Sequence, residues 1–191
     1  MSQAILRTER IQLIPLSGEH LEYQVELDAD PEVMRHLGGA SSRGQAEADF
    51  RVSLAEADPE RGLGYWAGFV AAAFAGYWIL RPLEPIDQEQ GDASNEGELG
   101  YRLMRRYWRQ GLGGEGAREL VRHGFEDLGL TRIVARTGPD NTASRATMTA
   151  AGLRYRRAFE VEAEDWPPDL GRSGVEYAIS REQWSGGRGA S

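Results

Sequence analysis

Apolar and polar positions along this chain repeat with two different periods, and each change of period marks a change of element. Alternation over Arg10 to Leu16, closed by Pro15, predicts a first strand. Ser17 stands as the N-cap of a helix running to Asp28. Asp30-Pro31-Glu32 opens a second helix that Gly38 and Gly39 stop. Ser41 or Ser42 caps a third, which reaches about Asp58 ahead of Pro59. Tyr65 to Leu80 reads as two strands folded back on each other, with Ala71-Ala72-Ala73 between them in place of the Asn-Gly or Asp-Gly chemistry tight hairpins favour. A polar loop spans Pro82 to Gly97, and a strand follows from Glu98 to Met104.

The clearest helical pattern runs from Gly113 to Leu128. Ala117, Leu120, Val121, Gly124 and Leu128 form one apolar stripe, with Glu119, Arg122, His123, Glu126 and Asp127 opposite it. Gly129 terminates the helix. A β-branched strand from Thr131 to Thr137, a helix from Thr142 to Ala151, and strands near Leu153 to Val161 and Val175 to Ser180 complete one domain, residues 1–184. Residues 185–191 read as a disordered tail.

Composition removes several chemistries. The 191 residues include no cysteine, so thiolate nucleophiles, disulfides and thiolate metal sites are excluded, and a cytoplasmic setting is expected. Lysine is also absent, which excludes a Walker phosphate loop and a Schiff-base lysine. A net charge of −8 argues against nucleic acid as a partner. Gly62 to Leu80 carries no charge over 19 residues, yet its four glycines and many alanines fit buried strands better than a membrane span. His20, His36 and His123 share no ligand spacing, so no metal site is expected. Charge is also unevenly placed. Arg102, Arg105, Arg106 and Arg109 follow one another with no intervening acid, directly after a block holding Glu84, Asp87, Glu89, Asp92, Glu96 and Glu98. The first block suits an anion and the second a cationic substrate; a solvated loop is the plainer reading of the second.

Between strand and longest helix lies Arg109-Gln110-Gly111-Leu112-Gly113-Gly114-Glu115-Gly116. Glycines there let successive amides turn toward one point, and the helix start adds unpaired donors and partial positive charge. A pyrophosphate is the ligand this arrangement favours. Gly111, Gly113 and Gly116 also satisfy the dinucleotide fingerprint, but about a hundred residues precede them and the next strand ends in Arg136 rather than an acid. A purely structural glycine turn is the other alternative.

Trp108-Arg109-Gln110-Gly111-Leu112-Gly113 resembles the coenzyme-binding motif of the GNAT superfamily of N-acetyltransferases, in the branch typified by RimJ and RimL. The motif's usual first residue is Gln or Arg, and Trp108 departs from it. Thr8-Glu9-Arg10-Ile11, Glu98-Leu99-Gly100-Tyr101, Asn141 with Ser144, and Ala151-Gly152-Leu153 extend the resemblance over nearly the whole chain. It implies a mixed, mostly antiparallel α/β (α+β) sheet flanked by helices, with two splayed parallel strands, Glu98 to Met104 and Thr131 to Thr137, forming a cleft for acetyl-CoA. It implies that Leu103 and Met104 pair with the pantetheine arm and that Arg109, Gln110, Gly111, Leu112, Gly113 and Gly114 hold the pyrophosphate. Asn141 would contact coenzyme or orient substrate, and Ser144 would sit near the thioester sulfur as proton donor. The donor tyrosine many relatives carry four residues later is Met148 here.

The reaction implied is attack of a primary amine on the thioester in a ternary complex. An alkyl amine with a pKa of about 10.4 is mostly protonated at neutral pH, so a base is useful, and Glu98 is the first candidate. An ordinary strand-edge carboxylate is its other reading. The acceptor would be a protein N-terminus or a small, cationic molecule, chosen by the helices between Ser17 and Asp58 and the loop from Glu162 to Ser173. Pairing of two copies is common in the family. A non-catalytic acyl-coenzyme-binding module and a nicotinamide oxidoreductase are the competing functional readings.

Overall fold

The computed structural model describes residues 3–84, 93–160 and 173–188. Strands β1 (Leu6–Arg7), β2 (Gln12–Pro15), β3 (Gly64–Val70), β4 (Ala73–Pro82), β5 (Glu96–Leu103), β6 (Arg132–Thr137), β7 (Arg154–Glu160) and β8 (Ser173–Ser180) form one sheet in the order β1-β2-β3-β4-β5-β6-β8-β7. Only β5 and β6 run parallel; every other neighbouring pair is antiparallel. Six α-helices are described: α1 (Leu21–Asp28), α2 (Pro31–Met34), α3 (Arg43–Ala55), α4 (Leu112–Glu126), α5 (Thr142–Ala150) and α6 (Arg181–Arg188).

The expected alternation over Arg10 to Leu16 resolves into β2 alone, because Arg10 lies in the turn from β1 and bonds elsewhere. The helix expected from Ser17 starts as a 3-10 turn, Gly18–His20, before α1. α3 ends at Ala55, short of Asp58, and Ser42 rather than Ser41 caps it, accepting from the Gln45 amide at 3.3 Å. The chain then turns, and Asp58 bridges to Leu63.

The β3–β4 turn is made by two alanines at positive φ, Ala71 at 47° and Ala72 at 65°. Two successive left-handed residues match the right-handed twist of the flanking strands. Each costs an L-residue about 1–2 kcal/mol. The long strand pairing beyond the turn offsets this, since Trp66 and Trp78 face each other across it and both are fully buried. Gly68 and Gly116 make room for the Trp78 ring: a Cβ would stand 2.2 Å and 2.3 Å from its nearest atom. Gly116 is thus a packing glycine between α4 and the sheet. The uncharged Gly62 to Leu80 segment is this hairpin, and among the described residues no helix is long and apolar enough to cross a membrane.

On one face of the sheet, α4 buries Ala117, Leu120, Val121, Gly124 and Phe125 against Leu80, Leu99, Ile133 and Ala135. The stripe is as expected through Gly124; Phe125 then takes the place expected for Leu128, which lies past the end of α4 and is partly buried, and His123 is also buried, at 3% exposure, edge-on to Trp66. Its Nδ1 lies 2.8 Å from an Asp127 carboxylate oxygen, a contact that its expected place on the polar face does not anticipate. On the other face, Leu27, Val33, Phe74, Tyr77 and Met104 form a second core beneath α1 and α2. α6 continues through Ser185 to Arg188, where a disordered tail is expected, because Trp184 packs on Phe125; residues 189–191 lie outside the described ones.

Candidate active site

The cleft is opened by strand pairing that stops early. β5 and β6 are in register at Glu96–Arg132, Gly97–Ile133 and Glu98–Val134, after which β5 runs on to Leu103 and β6 to Thr137 without pairing to each other. Backbone alternation fixes which groups face the opening. The Met104 amide donates to the Ala75 carbonyl at 2.9 Å, toward β4. Tyr101 and Leu103, of opposite parity, therefore turn their backbone groups toward the β6 side. Of the two residues expected to meet a pantetheine arm, Leu103 has the right orientation and Met104 does not, because its N–H is committed to the sheet. The Leu103 carbonyl also accepts from the Trp108 indole at 2.8 Å, which gives the departing Trp108 a place at the edge of the cleft.

Past Leu103 the chain makes a 3-10 turn, Arg105–Tyr107, and enters α4 through a loop with two left-handed residues, Arg109 at φ 59° and Gly111 at φ 78°. Gly111 is the N-cap. The amides of Leu112, Gly113 and Gly114 begin α4 and have no carbonyl one turn earlier to bond. Added Cβ atoms at Gly113 and Gly114 would meet Thr147 at 3.4 Å and Ala150 at 3.5 Å, ordinary to slightly tight contacts with α5. Leu112 is buried and anchors the turn. Left-handed residues followed by a helix start make a concave set of donors with partial positive charge, the fit a diphosphate requires.

Most of the arginine run does not supply that loop with charge. Arg102 pairs with Asp28 at 2.9 Å, Arg105 with Asp30 at 3.8 Å and Arg106 with Glu26 at 3.2 Å, so three of the four bind α1 and its C-terminal turn. Asp28 is fully buried; burial pushes its carboxyl up against the opposing pull of Arg102 and Gln24. Arg109 alone of the four carries no ion pair among the described residues, and it remains exposed beside the loop. The arginine that touches the loop is Arg10, whose Nη1 donates to the Gln110 carbonyl at 3.0 Å.

Across the cleft, Asn141 caps α5: its Oδ1 accepts from the Ser144 amide at 3.1 Å. The Tyr101 hydroxyl donates to the Ser144 carbonyl at 2.8 Å and lies 3.2 Å from Ser144 Oγ. Burial pushes the Tyr101 hydroxyl up to about 12, outweighing its bonds to Ser144 and Thr147, so it stays protonated at neutral pH. Tyr101 is the residue sequence reasoning misses. Its place in the Glu98-Leu99-Gly100-Tyr101 motif is the signal that could have found it. Met148 packs in the core at 2% exposure and faces no cleft.

Glu98 lies on the paired part of β5, ahead of the opening. Arg81, its cross-strand partner, contacts it at 3.1 Å, and Arg136 approaches at 3.8 Å. Of the other acids of the expected cationic-substrate surface, Glu96 pairs with Arg132 at 2.6 Å, the Glu84 carbonyl accepts from Arg136 at 3.0 Å, and Asp87, Glu89 and Asp92 lie outside the described residues. Most of the loop from Glu162 to Ser173 lies outside them as well. Burial lowers His20, whose Nδ1 accepts from the Ser17 amide at 3.0 Å. His36 contacts Arg35. Among the described residues no group of three or more candidate metal ligands comes together.

This cleft, loop and sheet order are those of an acetyltransferase, and the acetyltransferase (GNAT) domain family matches residues 10–154. A protein of Aspergillus fumigatus named FsC-acetyl coenzyme A-N(2)-transacetylase is 36% identical over 187 residues, 96% of this chain and 79% of its own length. Among solved structures, an aminoglycoside acetyltransferase in complex with coenzyme A superposes with a TM-score of 0.76 at 16% identity, covering 93% of this chain and 99% of its own. RimL, the ribosomal L7/L12 α-N-protein acetyltransferase, in complex with coenzyme A, gives 0.73 at 16% identity over 92% and 97%. The chain belongs to the GNAT acetyltransferase family, enzymes that move an acetyl group from acetyl-coenzyme A to an amine. Neither the dinucleotide-binding reading of the glycine loop nor a nicotinamide oxidoreductase is compatible with that membership.

Proposed function

We propose that this chain N-acetylates a primary amine of a small molecule, with acetyl-coenzyme A lying between β5 and β6 and its diphosphate on the start of α4. When bound, the thioester supplies the activated acetyl group. The amides from Arg109 to Gly114 hold the diphosphate through N–H donors alone, with Gln110, Gly111, Leu112 and Gly113 setting their direction. The N–H groups of Tyr101 and Leu103 face the cleft, and one of them polarises the thioester carbonyl. As the amine nitrogen bonds to the acetyl carbon and the carbon–sulfur bond breaks, Ser144, kept in place by Tyr101 and by the Asn141 cap, gives its proton to the departing sulfur and regains one through water from the nitrogen, so that the products are the amide and the free thiol. The Asp28–Arg102 and Glu98–Arg81 pairs border the acceptor's side of the sheet.

The observation that carries this reading is the abrupt end of β5–β6 pairing directly beside a helix start entered through two left-handed residues. The Aspergillus relative, whose name specifies a nitrogen numbered 2, supports an amine acceptor and a small-molecule one over a protein N-terminus. A cytoplasmic setting accompanies the reading, since a chain without cysteine suits a reducing compartment. The test is release of free thiol from acetyl-coenzyme A in the presence of amino acids, polyamines, aminoglycosides and N-terminal peptides in turn. Thiol release with a small amine but not with peptides supports the proposal. Stabilisation by coenzyme with no thiol release from any amine would favour the binding-module reading instead.

A further inference from the structure

Glu115 is out of place for a diphosphate site. It sits in the first turn of α4, where a carboxylate suits the helix dipole but opposes a bound dianion. The structure answers this with a clamp from the β1–β2 turn. The Thr8 hydroxyl donates to Glu115 Oε1 at 2.5 Å, the Arg10 amide to the same oxygen at 2.9 Å, and Arg10 Nε to Oε2 at 2.7 Å. Arg10 Nη2 closes the pair at 2.6 Å. Burial raises the Glu115 carboxyl, but these donors together hold it below its usual range. Arg10 Nη1 reaches past Glu115 to the Gln110 carbonyl at 3.0 Å. That carbonyl lies between the two left-handed residues of the loop.

One guanidinium therefore does two things: it neutralises the carboxylate nearest the diphosphate and pins the peptide whose direction decides whether the loop amides converge. We propose that Arg10 is a positioning residue for the coenzyme, acting through Glu115 and Gln110 and specifically on the diphosphate. This rests on the placement of the diphosphate under the proposed function. The planar fork of arginine makes both contacts at once, whereas a lysine ammonium could meet Glu115 but not also Gln110 in the same geometry.

The test is calorimetric titration of coenzyme A, and separately of pantetheine, which lacks diphosphate and nucleotide, into wild type, Arg10→Ala, Arg10→Lys and Glu115→Gln. The expected result is that Arg10→Ala weakens coenzyme A at least tenfold and leaves pantetheine unchanged. Arg10→Lys should fall between the two, and Glu115→Gln should lose less than Arg10→Ala, because it removes the repelling charge along with the clamp. Equal loss of both ligands, or no loss of coenzyme A, overturns the proposal. Should Arg10→Ala fail to fold, Arg10→Lys decides: binding equal to wild type refutes the role. If wild type itself binds the two ligands equally, the diphosphate site fails and takes the proposal with it, a result distinct from failure of Arg10 alone.

Discussion

The hydroxyl of Tyr101 on β5 donates to the carbonyl of Ser144 on α5 at 2.8 Å and touches its Oγ at 3.2 Å, bridging the point where the strands part. This bond ties the helix that carries the proposed proton donor to the strand whose Tyr101 and Leu103 amides face the cleft. Replacing Tyr101 by Phe removes a buried hydrogen bond worth about 1 kcal/mol net. The expected outcome is a lowered thermal midpoint together with a fall in kcat, because Ser144 loses its fixed position. An unchanged kcat in a destabilised variant would confine Tyr101 to a structural role.

Ser144→Ala tests the proton donor itself. A coenzyme thiolate is a good leaving group, so the expected loss falls below the usual general-acid range of about a hundredfold or more, at about tenfold in kcat. The Michaelis constant for acetyl-coenzyme A should change by less than about threefold, since the proposed contact matters most as the sulfur departs. Steady-state kinetics at saturating amine makes the measurement.

Glu98 is expected to contribute little as a base. Arg81 at 3.1 Å and Arg136 at 3.8 Å stand against its carboxylate, on the paired part of β5 ahead of the opening. Glu98→Gln should leave the pH at which kcat rises unchanged, with at most about a tenfold loss in rate, well short of the larger general-base effects. A shift of that rising limb on substitution would restore Glu98 as the base.

Gly116→Ala places a methyl group 2.3 Å from Trp78 Nε1. Overpacking of this kind costs about 1–3 kcal/mol. Thermal denaturation should show a midpoint several degrees lower, with coenzyme affinity close to wild type because Gly116 is not among the loop donors. A stable variant that had lost coenzyme would reassign this glycine to the site.

The Glu115 clamp has a pH signature. The folded carboxyl is held below its ordinary value of 4.5, so its contribution is fully present above that pH and is lost as pH falls through the lower folded value. Thermal midpoints of wild type should therefore decline more steeply below about pH 4.5 than those of Glu115→Gln. Parallel curves would contradict the clamp.

Much of this arrangement was legible in the residues. The amphipathic stripe from Ala117 to Gly124 and the glycines at Gly111–Gly114 before it identify the helix and its left-handed entry, because both depend on local periodicity and backbone freedom. Asn141 announces its cap by residue type. What local reasoning cannot reach is the pairing of residues distant in sequence. Arg102, Arg105 and Arg106 read as coenzyme charge, yet Asp28, Asp30 and Glu26 claim them. Arg10 reads as a strand residue, yet it holds Glu115 and Gln110, about a hundred positions away. Ala71 and Ala72 give no turn signal, because the tryptophan pairing beyond them sets the hairpin.

The most direct measurement is calorimetric titration of coenzyme A into wild type and Gly113→Asp. An aspartate in the first turn favours the helix through its dipole, so the fold is retained while a negative charge is set against the diphosphate. Wild type should bind, and the variant should bind at least about tenfold more weakly, roughly 1.4 kcal/mol, at an equal or higher thermal midpoint. Equal affinity in the two proteins, or no association with either, would contradict the placement of the diphosphate on the start of α4.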